Sequence, residues 1–231
     1  MISDVALVTV FFNYPVDRQP LYLENAKKYF QEEAIFTARF EGLPQDTSYY
    51  EKLCAYKIDF LLPYIKEHIQ GKYKYMLFMD SLDTNFYRSP DNLVEDFLSF
   101  NKSIVFCGEK ELWPINSYTH LYNTLEQRGP AQYLNSGGYI GYTDKIVEHL
   151  EDIIDKAYPE RVTDQSIWSI QYLLSEDIAV DQNYKIFYST HVAKEYVEAT
   201  EPEVVLNSIN PYIVHDNGPY GDNTIKLTHL L

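Results

Sequence analysis

Two acidic side chains stand three residues apart in the stretch Asp80-Ser81-Leu82-Asp83. In an extended chain they would point to opposite faces, so they converge only if the chain turns there. Converged carboxylates repel unless a cation lies between them. A divalent metal held by one or two carboxylates, with phosphate oxygens completing its shell, is the usual solution for nucleotide substrates. The competing reading is a turn or a helix cap. His215, in His215-Asp216-Asn217-Gly218-Pro219, can supply a nitrogen ligand or be a hydrogen-bonded structural residue. Asn135-Ser136-Gly137-Gly138 puts small and amide-bearing residues where a backbone or ligand must come close, or else makes a glycine turn between strand pieces. Glu109 and Trp113 are candidates to flank an acceptor pocket, with a packing corner at Trp113-Pro114 as the alternative. Asp164-Gln165 is either part of a site or a helix start, since Asp is a good N-cap.

These residues need elements to hold them. Val5 to Phe12 is an apolar run without clean alternation, as in a strand covered on both faces of a parallel sheet. A helix is expected over about Leu21 to Glu33, then a second strand over Ile35 to Phe40. Ser48 and Glu51 form a capping box. From there Leu53, Lys57, Phe60, Leu61, Tyr64, Ile65 and His68 keep helical spacing up to a stop at Gly71. Tyr75 to Met79 is wholly apolar and stops abruptly at Asp80, which predicts a central parallel strand with acids at its carboxyl end, where open α/β sheets bind ligands. Ser89 and Pro90 start a helix with Leu93, Val94, Phe97 and Leu98 inward. Ile104 to Cys107 is a strand, and Tyr133 to Tyr142 mixes strand and glycine turn. Asp144 to Ala157 and Asp164 to Leu174 are helices, with late strands over Lys185 to Tyr188 and Tyr212 to Val214. Alternating strands and helices make an α/β domain with a mostly parallel twisted central sheet flanked by helices.

The 231 residues show no linker, repeat or composition break, so one domain is expected. With 34 acidic against 19 basic residues the formal charge is -15, which repels nucleic acid and anionic membrane surfaces. No apolar run reaches the roughly 18 residues of a spanning helix. Met1 to Phe12 lacks the features of a signal peptide, so a soluble and, by default, cytoplasmic chain is expected. Cys54 and Cys107 have no zinc or CxxC spacing and read as buried thiols. The 22 tyrosines exceed what a core needs and offer flat faces suited to sugar rings; compositional bias at the surface is the other reading. Sugar-nucleotide synthesis would need a glycine-rich loop after the first strand, which Phe12-Asn13-Tyr14-Pro15 does not supply. Aspartate-nucleophile phosphatases usually space their paired acids by two.

Taken in order, these pieces resemble the glycosyltransferase domain of the procollagen lysyl hydroxylases and related collagen glycosyltransferases. The matching segments are Val8-Thr9-Val10, the D-S-x-D at Asp80 to Asp83, Glu109 with Trp113-Pro114, Leu134 to Gly138, Gly141, Asp164-Gln165, Val204 to Leu206, and His215 to Pro219. The resemblance implies a GT-A fold, with a nucleotide-binding half over about 1–107 and an acceptor-binding half over about 108–231. It implies retaining transfer of glucose from UDP-glucose to a galactosyl-hydroxylysine unit of a collagen-like glycosylated peptide, with manganese as the ion. Asp80, Asp83 and His215 match metal ligands. Thr9, Lys52, Ser81, Leu82, Gly137, Gly138, Gln165, Asn217 and Gly218 match positions on the nucleotide-sugar donor. Asp164, Trp113, Glu109 and Asn135 match catalytic or acceptor-side positions. Leu82 stands where the animal enzymes carry a Tyr near the uracil, Thr163-Asp164 replaces a longer acidic run, and Tyr220-Gly221 stands in place of a Lys. The alternative is a non-catalytic domain that keeps the fold as a collagen-binding or assembly module. Iron or 2-oxoglutarate chemistry is not expected of these residues.

Overall fold

The computed structural model describes residues 2–12, 17, 19–20, 22–40, 49–114, 116–125, 129–156, 163–190 and 208–216, without the side chains of 49–55 and 116. The capping pair at Ser48, the segment Val204 to Leu206 and everything from Asn217 onward lie outside the described residues, as does the side chain of Cys54. Nine strands are present in these stretches: β1 (Val5–Phe12), β2 (Ile35–Phe40), β3 (Tyr75–Met79), β4 (Thr84–Phe86), β5 (Ile104–Glu109), β6 (Tyr133–Tyr142), β7 (Ile178–Asp181), β8 (Phe187–Ser189) and β9 (Ile213–His215). Six of them form the central sheet in the order β2-β1-β3-β6-β5-β7, and β4-β9-β8 form a small second sheet. Within the large sheet only β6 runs against its neighbours. The mostly parallel sheet follows the pattern of continuous apolar strands, since β1 and β3 are buried along their whole length.

Side-chain alternation divides the core in two. Ala6, Val8, Met76 and Phe78 face helices α2 (Tyr49–His68), α5 (Thr143–Lys156) and α6 (Asp164–Leu174). Leu7, Tyr75 and Leu77 face α1 (Leu23–Ala26), α3 (Leu93–Leu98) and the small sheet. α2 presents Ile58, Leu61 and Ile65 to the first layer, and the chain turns at Gly71 with a positive φ of 76°. A short helix, α4 (Thr119–Tyr122), lies beside the end of β5. Among the described residues no helix is long and apolar enough to cross a membrane. Cys107 is a buried thiol, pushed well up by that burial.

Several expectations need correcting. The first helix is one turn long, followed by a 3-10 turn at Glu32–Ala34, so it does not span Leu21 to Glu33. α3 starts at Leu93 rather than at Ser89, because a turn closed from Leu93 N–H to the Pro90 carbonyl (3.1 Å) precedes it; Leu98 points out, 40% exposed. Tyr133 to Tyr142 is one ten-residue strand with a bulge opposite Phe106 and Cys107, and its glycines lie in the strand rather than in a turn. Many tyrosines are core residues: Tyr22, Tyr122, Tyr139 and Tyr212 are among the largest fully buried side chains, so burial accounts for much of the excess.

The β7–β8 connection is clamped by Asp181, which is fully buried. Its carboxylate accepts from the backbone N–H groups of Lys185 (3.0 Å), Ile186 (2.6 Å) and Phe187 (3.0 Å). That clamp sets the start of β8 and, through β8, the position of β9. Asp181→Ala would leave three donors short of an acceptor, and we expect urea unfolding to show a loss of about 3 kcal/mol. A loss below about 1 kcal/mol would mean that the loop holds itself without the carboxylate.

Candidate active site

β3 ends at Met79, and the last rung of its pairing with β6 is Asp80 N–H to the Gly137 carbonyl, 2.9 Å. The chain then turns through Asp80 to Asp83, closed by the Thr84 hydroxyl donating to the Asp80 carbonyl. This turn removes the opposite-face problem and lets both carboxylates converge. His215 arrives through the small sheet, where it is paired with Thr84, while Asp216 N–H donates to the Asp83 carbonyl (2.7 Å). The convergence therefore depends on the pairing of β4 with β9, not on two neighbouring strands of a parallel sheet. One ligand atom from each of Asp80, Asp83 and His215 lies within 4.8 Å of the others. His215 Nε2 stands 3.4 Å from Asp83 Oδ2 and 3.9 Å from Asp80 Oδ2.

Two carboxylates and an imidazole form a donor set suited to a divalent cation. The electrostatics agree. Desolvation raises Asp80 above the ordinary carboxylate range despite the pull of Lys57. Desolvation also pushes Asp83 up, but His215 and Lys57 outweigh it and hold Asp83 low. Burial alone would depress His215; Asp83 and Asp80 reverse this and raise it. The Asp80 shift reports burial, and the shifts of Asp83 and His215 report each other's charge.

Lys57 is the residue that the sequence reading passed over as a site group. Its ammonium, on α2, sits between Asp80 Oδ1 (3.0 Å) and Asp164 Oδ2 (2.9 Å), with only 12% of the side chain exposed. The signal was its inward position on an otherwise apolar helix face. Lys52 lies on the same helix, but its side chain is outside the described residues, as are Asn217 and Gly218. α6 is capped by Thr163, whose hydroxyl accepts from Ser166 N–H at 3.1 Å, so Asp164 is not the N-cap and its carboxylate is free to reach Lys57.

Because β6 runs against its neighbours, its N-terminal half enters the carboxyl edge of the sheet. Asn135, Ser136 and Gly137 thus meet the Asp80 turn. Glu109, Asn135 and Gln165 are buried and joined by hydrogen bonds: Asn135 Nδ2 donates to Glu109 Oε2 (3.0 Å) and Gln165 Nε2 to Glu109 Oε1. Gly137 leaves room for His215, since a Cβ there would lie 2.0 Å from the ring's Cε1, and Gly138 packs against Phe187. Ser81 is buried in the turn and Leu82 half-buried. Thr9 is fully buried in β1, and its hydroxyl makes no hydrogen bond among the described residues. Trp113 is 43% exposed and lines a cleft of about 500 Å³ with Lys110, Glu111, Leu112, Pro114, Thr119 and Tyr133.

The mixed central sheet flanked by helices is a fold of the GT-A type. Mouse xyloside xylosyltransferase 1 in its apo form has the same fold, with a TM-score of 0.55 and 11% identity over 96% of this chain and 99% of that one. Residues 24–229 match the family described as the PLOD GT domain, and the chain belongs to that family. A Drosophila melanogaster procollagen-lysine,2-oxoglutarate 5-dioxygenase is 28% identical over 157 residues, covering 62% of this chain and 21% of the relative. Human multifunctional procollagen lysine hydroxylase and glycosyltransferase LH3 is 25% identical over 174 residues, 71% and 23% respectively. The chain therefore spans between a fifth and a quarter of these relatives.

A cation taking His215 Nε2 must displace a proton from a group held above its ordinary value. Apparent metal affinity should rise by up to about tenfold per pH unit as pH climbs toward that raised value, then level off. In metal-free protein the same group has the opposite effect. Its stabilisation is complete below the unfolded value of about 6.5 and fades as pH rises through the folded one. Calorimetric titration with manganese in buffers of different ionisation heat counts the proton, and an affinity flat across this range would remove His215 as a ligand.

Proposed function

We propose that the chain is a metal-dependent retaining glycosyltransferase that moves glucose from UDP-glucose to a galactosyl-hydroxylysine unit of a collagen-like protein. The observation that carries this reading is the convergence of Asp80, Asp83 and His215 at the carboxyl edge of the sheet, in a chain of the PLOD family. Manganese is the ion we assign to these three residues. When bound, it supplies positive charge to the negative charge that develops on a departing diphosphate.

The chain's own groups divide the remaining work. Lys57 places a fixed cation beside Asp80 and leaves Asp80 Oδ2 turned toward His215. Asp164 is engaged by that ammonium, which suits a residue orienting sugar or acceptor rather than one forming a covalent bond to the donor. Retention then follows from front-face attack by the acceptor hydroxyl, with no enzyme nucleophile. The cleft beside Trp113 is the place we assign to the acceptor, because an exposed aromatic face suits a sugar ring. The donor would lie along the edge formed by residues up to about 107.

Mass spectrometry of a galactosylated hydroxylysine peptide incubated with UDP-glucose and manganese should show one added hexose, absent on the bare lysine peptide. Asp83→Asn should lower that rate roughly 10² to 10³-fold, the scale of losing one preorganised electrostatic contact. It should lower the melting temperature of the metal-free domain, since His215 and Lys57 hold Asp83 low, whereas Asp80→Asn, at a carboxyl held high by burial, should leave it unchanged or higher. UDP at a hundredfold excess over its dissociation constant should add about 2.7 kcal/mol of stability when manganese is present, and far less without it. Peptide binding without transfer would favour the assembly-module alternative, and near-normal manganese-dependent turnover in Asp83→Asn would end the metal-site reading.

A further inference from the structure

We propose that Asn135 and Glu109 are positioning residues that fix the tautomer and ring orientation of His215, so that its Nε2 lone pair is aimed at the gap between Asp80 and Asp83. This rests on the metal reading of the same site and assigns Glu109 a task other than acid–base chemistry. The orientation of the Asn135 amide is settled at both ends. Gly137 N–H, which can only donate, lies 2.9 Å from one terminal atom of the side chain, so that atom is the oxygen. The Glu109 carboxylate, which accepts, lies 3.0 Å from the other, so that atom is the nitrogen. The same Asn135 oxygen faces His215 Nδ1 at 2.9 Å. An amide oxygen cannot donate, so Nδ1 carries the hydrogen. In the neutral ring the lone pair is then on Nε2, the nitrogen 3.4 Å from Asp83.

Glu109 is in turn held by Gln165. One amide nitrogen of Gln165 donates both to Glu109 and to the Trp113 carbonyl (2.9 Å), and its oxygen accepts from Ser136 N–H (3.3 Å). All four groups are almost fully buried: His215 and Asn135 are each 3% exposed, as is Glu109, and Gln165 is 5% exposed. The ring also lies against Gly137, where even a methyl group would collide with it. The imidazole is thus confined by close backbone at Gly137 and held at Nδ1 by a carboxylate–amide chain, the kind of outer-shell support that gives metal-binding histidines their direction.

The first test is the tautomer of His215 in unaltered, metal-free protein, read by carbon-13 and nitrogen-15 NMR at a pH where the ring is neutral. The hydrogen should be on Nδ1; a hydrogen on Nε2 would overturn the relay whatever the protein does with metals. The second is manganese affinity, measured by the electron paramagnetic resonance signal of the free ion, with no sugar or nucleotide present. Asn135→Ala and Glu109→Gln should each weaken affinity about 10- to 100-fold. Glu109→Gln keeps the shape of the chain and serves where Asn135→Ala fails to fold. Unchanged affinity in a folded variant, with normal binding by the unaltered protein, would overturn the proposal alone. Absence of saturable manganese binding by the unaltered protein would overturn the metal reading and the proposal with it.

Discussion

The arrangement of this sheet edge is governed by the cost of placing carboxylates together away from water. Asp80 and Asp83, Glu109, and Asp164 come from three different places in the sequence and gather within one neighbourhood. Like charges at such distances cannot all stay ionised without compensation. Each is answered differently. Lys57 divides its ammonium between Asp80 and Asp164, two amides take the oxygens of Glu109, and His215 faces Asp83. What remains uncompensated is concentrated where Asp80 and Asp83 face His215, and that residue of negative charge is what makes the gap attractive to a cation. Local structure serves this distribution: the Asp80 turn, the reversed strand β6 and the pairing of β4 with β9 each deliver one part of it.

Much of this could be read directly from the residue order. β1 and β3 were legible because a buried strand needs a continuous apolar run, β2 because its half-buried residues alternate in type, and the break from Met79 to Asp80 marks where burial ends. The grouping of Asp80, Asp83 and His215 was legible from residue type and family resemblance. Its route of assembly was not, since nothing local in Tyr212 to His215 says that the strand joins a second sheet. β6 was misread in part because glycine is a turn signal in isolation, whereas at Gly137 it is a clearance for a ring 78 positions further along the chain. Lys57 was hidden for the opposite reason. It fits helical spacing so well that it was counted with the apolar face, although a lysine at an inward position needs a partner.

Glu109 and Asn135 show a different limit. Residue type alone makes a carboxylate near a pocket look like an acid or base, and burial and hydrogen bonding are what distinguish a reacting group from a supporting one. Here both oxygens of Glu109 accept from amides, and Asn135 links it to a ring nitrogen of His215. A sequence pattern reports that such residues occur together; only geometry reports which of them carries the load for another. The same holds for Asp181, which stands at the end of a strand as Asp80 does, yet is consumed by three backbone donors.

The small sheet has a consequence for how the domain is assembled during synthesis. All six strands of the large sheet have emerged by Asp181, and β8 and β9 of the small sheet come after it. His215 emerges later, and Thr84 waits unpaired on that side until β9 reaches it. The strands of the scaffold are thus all made before the imidazole that completes the trio, which works as a late fastener. Until it arrives, the acid pair of Asp80 and Asp83 stands without its third member.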